Sequence, residues 1–178
     1  MDKNSLMAIV VALMIILPAL MALGWHNRRR RQSSIPAPRR LDAALVDASF
    51  AADVFYVATT VAGEPLERIA VGGLGFRARA SIAANGEGVA LTIPGQAPAW
   101  IPAEEIVGID RATWTIDRVV EPDGLVLLAW RLVADSGEST PVDSYLRFDL
   151  PTLAADFIAA VTELINQSSP SSAQGGTA

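Results

Sequence analysis

The 178-residue chain has no cysteine, one histidine (His26) and one lysine (Lys3). Without cysteine there is no disulfide, no thiolate metal site and no cysteine nucleophile, which suits a reducing compartment. A lone histidine rules out histidine-pair metal sites, and no D-x-[DN]-x-[DN]-G loop offers an oxygen cage for calcium. Beyond Lys3 and His26 every basic residue is an arginine. Charge is also absent from one long stretch: Leu6 to Leu23 carries no ionisable and no strongly polar side chain.

That stretch is the organising feature. As a helix, Leu6 to Trp25 covers about 30 Å, the thickness of a bilayer's hydrocarbon core. The alternative is a cleaved signal peptide, with Ala22-Leu23-Gly24 as a cleavage site. Against it stand Arg28, Arg29, Arg30 and Arg31 directly after the run, with Arg39 and Arg40 close behind. Basic flanks stay on the cytoplasmic side, so the expectation is a retained single span with its N-terminus outside. Trp25 suits the headgroup layer, and His26 falls at the same interface, where a solvated histidine is the common case and a pH sensor the rarer one. Pro18 lies inside the run, where a membrane tolerates a kink. No ionisable group lies within the span, so nothing suggests an ion path.

The charge is segregated: residues 1–40 sum to +6 and residues 41–178 to −11. So acidic a region does not hold nucleic acid by neutralising phosphates. The expected organisation is an anchor with basic flank over 1–31, a proline-stiffened linker over 32–44, one domain over 45–167 and a disordered tail over 168–178. Leu41 to Ala52 reads as a short, helix-permissive entry to the domain.

From Asp53 the pattern is β. Runs at Val54–Thr60, Leu66–Val71, Phe76–Ile82, Val89–Ile93, Trp100–Ile101, Ile106–Ile109, Ala112–Asp117, Leu125–Val133 and Pro141–Phe148 are separated by turn residues, including Asn85-Gly86. In Phe76–Ile82 the alternation puts Phe76, Ala78, Ala80 and Ile82 on one face; Trp114 and Ile116 are expected inward. Leu153, Phe157, Ala160, Val161 and Leu164 then form one helical stripe, with Pro151 at the start and Asp149 placed to cap it. The fold expected is mainly β: a barrel of about seven antiparallel strands, its open end plugged by the C-terminal helix.

The span with Arg28–Arg31, then Arg77-Ala78-Arg79, Trp100-Ile-Pro-Ala-Glu-Glu-Ile106, Thr115-Ile-Asp-Arg118, Leu128-Ala-Trp-Arg131 and Tyr145-Leu-Arg147, in this order of elements, resemble actinobacterial single-pass membrane proteins with a cytoplasmic pleckstrin-homology-like (PH-like) domain. The resemblance covers roughly residues 45 to 167 plus the anchor, and it implies a PH-like fold for a domain on the cytoplasmic side.

Other constellations point elsewhere only weakly. Gly72-Gly-Leu-Gly75 lacks the spacing and following helix of a dinucleotide loop and reads as a turn. Glu104/Glu105 and Asp117/Glu121/Asp123 are neighbours in sequence on turns, where carboxylates are solvated. Arg68, Arg77 and Arg79 form a candidate anion or lipid contact, similar to the basic first hairpin of phosphoinositide-binding PH domains. Two departures stand against it: the region has no lysine, and the Arg77/Arg79 pair counts onto a later strand. The alternative is cross-strand pairing with acids on the sheet exterior.

The function expected is therefore a scaffold or protein-interaction module without catalysis, cofactor, metal or nucleic acid. It is anchored in the inner (plasma) membrane through residues 6–25, with Trp25 and Arg28–Arg31 at the interface. A lipid or small-anion binding module and an accessory subunit of a larger membrane complex are the alternatives.

Overall fold

The computed structural model describes residues 2–41, 45, 47–112, 114–115, 118–119, 124–134 and 136–168. They form two units, residues 1–34 and residues 35–178. The first contains helix α1 (Lys3–Arg31), which runs through Pro18 and carries four arginines in its last turn. No α1 residue is buried, and its length and composition make it a candidate membrane span.

The second unit is an antiparallel sheet with one helix. Its strands are β1 (Arg39–Arg40), β2 (Phe50–Val61), β3 (Glu64–Arg68), β4 (Ala78–Asn85), β5 (Gly88–Thr92), β6 (Ala99–Pro102), β7 (Ile106–Ala112), β8 (Trp114–Thr115), β9 (Arg118–Val119), β10 (Leu125–Val133) and β11 (Ser139–Phe148). Helix α2 (Pro151–Ser168) follows. The main sheet runs β1-β6-β5-β4-β2-β11-β10-β7, with β3 added onto β2, while β8 and β9 pair as a separate hairpin. Setting aside the two-residue β1 and the short β3 leaves seven strands in the main sheet, in keeping with the expected architecture.

Period-two burial explains the strands. Val54, Tyr56 and Ala58 of β2, Ala80, Ile82 and Ala84 of β4, and Val142, Ser144, Leu146 and Phe148 of β11 all turn inward. Leu125–Val133, apolar on both faces, has β11 on one side and β7 on the other. Helix α2 closes the core with Ala154, Phe157, Val161 and Leu164. Leu153 and Ala160, expected on the stripe, are only half-buried, and Ala154 takes the inner place. Phe157 stacks at 5.4 Å from Phe50 and 5.5 Å from Phe148, one aromatic from each of α2, β2 and β11.

Several expectations change in detail. Phe50–Ala52, read as helix-permissive, belong to β2, because their pairing with Ala84, Ala83 and Ile82 of β4 outweighs weak local propensity. Phe76 is 70% exposed, and the inward alternation begins only at Ala78, the first residue of β4. Arg39–Arg40, within the stretch read as linker, are strand β1 on the β6 edge. The side chains of Trp114 and Ile116 and the residues beyond 168 lie outside the described residues.

Candidate functional site

β3 and β4 both return along β2: Arg68 pairs with Thr60, and Ala78 with Tyr56. Arg79, on β4, and Arg77, just before it, do count onto a later strand, but that strand lies directly beside β2, the first long one. The three arginines are nonetheless directed to different places. Arg68 Nη2 donates to the Val57 carbonyl at 2.6 Å. Arg79 Nη1 pairs with Asp149 at 2.7 Å, on the exposed exterior where water screens the attraction. Asp149, expected as a helix cap, is thus engaged by a strand. Arg77 is exposed at the entry to β4.

Between β3 and β4 the chain folds into the core, burying Ile69, Ala70 and Leu74. A line of buried polar groups holds it there. Tyr56 Oη lies 2.9 Å from the Leu74 carbonyl and 2.8 Å from Thr59 Oγ1; Thr59 Oγ1 lies 2.7 Å from Ser144 Oγ, which takes the Trp130 Nε1–H at 2.9 Å. A phenol has one proton and a carbonyl can only accept, so Tyr56 donates to Leu74 and accepts from Thr59. Thr59 has then spent its proton, so Ser144 donates to Thr59 while accepting from Trp130. Every proton has one direction. Burial pushes the Tyr56 phenol far above its ordinary pKa, so it stays a donor.

The held loop forms one wall of a cleft. Gly72 and Gly73 have φ of +65° and +83°, as a glycine turn requires. A Cβ on Gly72 would come within 2.7 Å of Pro38 Cδ, and one on Gly73 within 3.1 Å of Gln96 Oε1. The opposite walls are Ala37–Arg40 and Gln96–Ala99, enclosing ≈ 190 Å³. β1 is fixed there by Arg39↔Trp100 and Arg40↔Ala99 pairing and by the Leu41 N–H to Pro98 carbonyl bond. Arg39 Nη2 also approaches Glu105 Oε1 to 2.7 Å, forming an ion pair. Glu105 is buried while the Arg39 side chain is 51% exposed. Burial raises the Glu105 pKa, and Arg39 partly offsets this.

In the sequence Arg39 and Arg40 read as membrane flank and linker. Their signal as a strand is faint: Pro36 and Pro38 impose extended backbone just before them, which suits an edge strand, but no spacing announces β6 as the partner. On α1, Trp25 is 37% exposed and Arg28–Arg31 occupy the last turn. Among the described residues no group of three or more His, Asp or Glu side chains is placed to hold a metal ion.

Compared with known families, residues 33–162 match a model described as bacterial PH domain-like. No curated protein matches the chain.

Proposed function

Because the chain belongs to the bacterial PH domain-like family, we propose that its β-rich unit is a protein-binding module without chemistry of its own, held at a membrane by α1. The module recruits: confining a partner to a membrane surface raises its effective concentration without any new contact. The observation that carries this reading is α1 itself, whose charge-free run Leu6–Leu23 leaves its large side chains exposed and is followed by Arg28–Arg31. Such a surface is costly in water and stable in lipid. The arginine flank favours the inner membrane with the module on the cytoplasmic side.

A periplasm-active reporter fused after Gln167 tests the orientation. It stays silent if the module is cytoplasmic and gains signal when Arg28–Arg31, Arg39 and Arg40 are neutralised; a bright wild-type fusion would overturn the orientation. Crosslinking in membranes, comparing the full chain with one lacking residues 41–167, tests recruitment. Identical crosslinked species from both would remove the binding role.

A further inference from the structure

β1 belongs to a longer docked strap, residues 35–41. Ile35 packs against the core, Pro38 abuts Gly72, and Arg39 and Arg40 pair with Trp100 and Ala99. The Leu41 N–H bonds to the Pro98 carbonyl, and Arg39 reaches the buried Glu105 at 2.7 Å. None of these contacts requires the strap to be joined to the sheet that it lies on. β2 begins only at Phe50, so residues 42–49 join the strap to the rest of the module. In that connection Asp47 has φ +57°, and among the described residues no other non-glycine residue has a positive φ. An L residue adopts this left-handed conformation at a cost. A short hinge under strain favours exchange of the element that it carries between identical chains.

Charge favours the same exchange. The strap carries two arginines and no acid and follows Arg28–Arg31, whereas residues 41–178 sum to −11. The basic segment of one chain is attracted to the acidic module of another, and confinement by α1 raises the concentration at which they meet. From these observations we infer that two copies of the chain exchange straps. Each places residues 35–41 on the β6 edge of the other, with its Arg39 at the other copy's Glu105. Every strap contact is then remade between chains, and only the hinge changes conformation. The β6 edge of each copy is completed by its neighbour, and two modules stand together on one membrane. Such a pair engages a repeated partner surface at two points, with the gain in avidity that this brings. The inference goes beyond recruitment, since it needs no protein other than a second copy.

The test uses the full chain, which has no cysteine of its own. One copy carries Arg40→Cys and a second, with a larger tag, carries Ala99→Cys. The two are co-expressed, purified and reconstituted together in liposomes, then oxidised. Arg40 and Ala99 are directly opposite, and such residues lie about 4.5–5.5 Å apart at Cα, within disulfide range. Ala99 is only 8% exposed, so chance collisions do not reach it. Exchange is expected to give a mixed covalent dimer whose share rises with the protein-to-lipid ratio. Absence of the mixed dimer, while a chain carrying both substitutions closes its own disulfide, would overturn the inference. Should that control fail to close, charge reversal decides. Arg39→Glu and Glu105→Arg on separate chains each set like charges together within a chain, and opposite charges meet only when straps are exchanged. Capture of one variant through the other is expected to exceed capture of either through itself by about tenfold. Equal capture would overturn the exchange. The liposomes hold no other protein, so either failure leaves recruitment to its own crosslinking test.

Discussion

Ser144 serves two buried neighbours at once, accepting from Trp130 and donating to Thr59. Replacing it by alanine leaves the indole N–H with no acceptor in a core where Trp130 is 1% exposed. The cost of one such orphaned group is about 1–3 kcal/mol. Ser144→Ala is therefore expected to lower the unfolding free energy of residues 35–168 by that amount, read as an earlier urea midpoint at unchanged slope. Exposed Ser81→Ala should be close to neutral. Glu105 supplies a pH signature. Its pKa is raised chiefly by desolvation, so the folded state binds the proton more tightly than the unfolded chain does. Its contribution to stability is thus full below the ordinary glutamate range and is lost as pH rises through the raised value. Glu105→Gln stays neutral throughout. Paired urea titrations should show wild type losing ground to Glu105→Gln across that window as pH increases; a constant difference would mean that Glu105 keeps an ordinary pKa.

At the scale of elements, α2 and β1 close the sheet in different ways. The apolar face of α2 is legible as a 3.6-residue period, and burial of Phe157 and Val161 agrees with it. Phe157 is fully buried among Phe50 and Phe148, so Phe157→Ala is expected to cost about 3–5 kcal/mol by opening a cavity, read by chemical denaturation. β1 has no period to read, since two residues define none. It is made by its partners: the β6 backbone, the Pro98 carbonyl and Glu105. A fragment starting at Leu41 lacks Arg39 and Arg40 and leaves Glu105 buried without its cation. It is expected to be less stable than one starting at Ile35 by about 1–3 kcal/mol. Equal midpoints would show that β1 adds nothing to the fold.

At the scale of the whole molecule, the two units differ in where their apolar side chains lie. α1 exposes its apolar side chains along its length, whereas most of the large apolar side chains described in residues 35–168 are buried in one core. Expressed without α1, residues 35–168 are expected to be soluble and to unfold in one transition, with a mainly β circular dichroism spectrum and a minor helical part. A mainly helical spectrum would contradict the fold.

Neighbouring residues alone were enough to disclose the apolar span, the basic flank, the acidic β-rich region and the final amphipathic helix. Each shows itself through composition, period two or period 3.6, and needs no knowledge of what lies across the fold. The roles of the polar residues became visible only in three dimensions. Arg79 meets Asp149, Arg39 meets Glu105 and Ser144 meets Thr59, pairs far apart along the chain. The order of strands brings them together, and a charge or hydroxyl has no periodicity that would disclose its partner in advance. The cleft follows the same logic: Arg39–Arg40, Gly72-Gly73 and Gln96 come from three separate segments, joined only because β1 adds to β6 and the loop before β4 folds into the core.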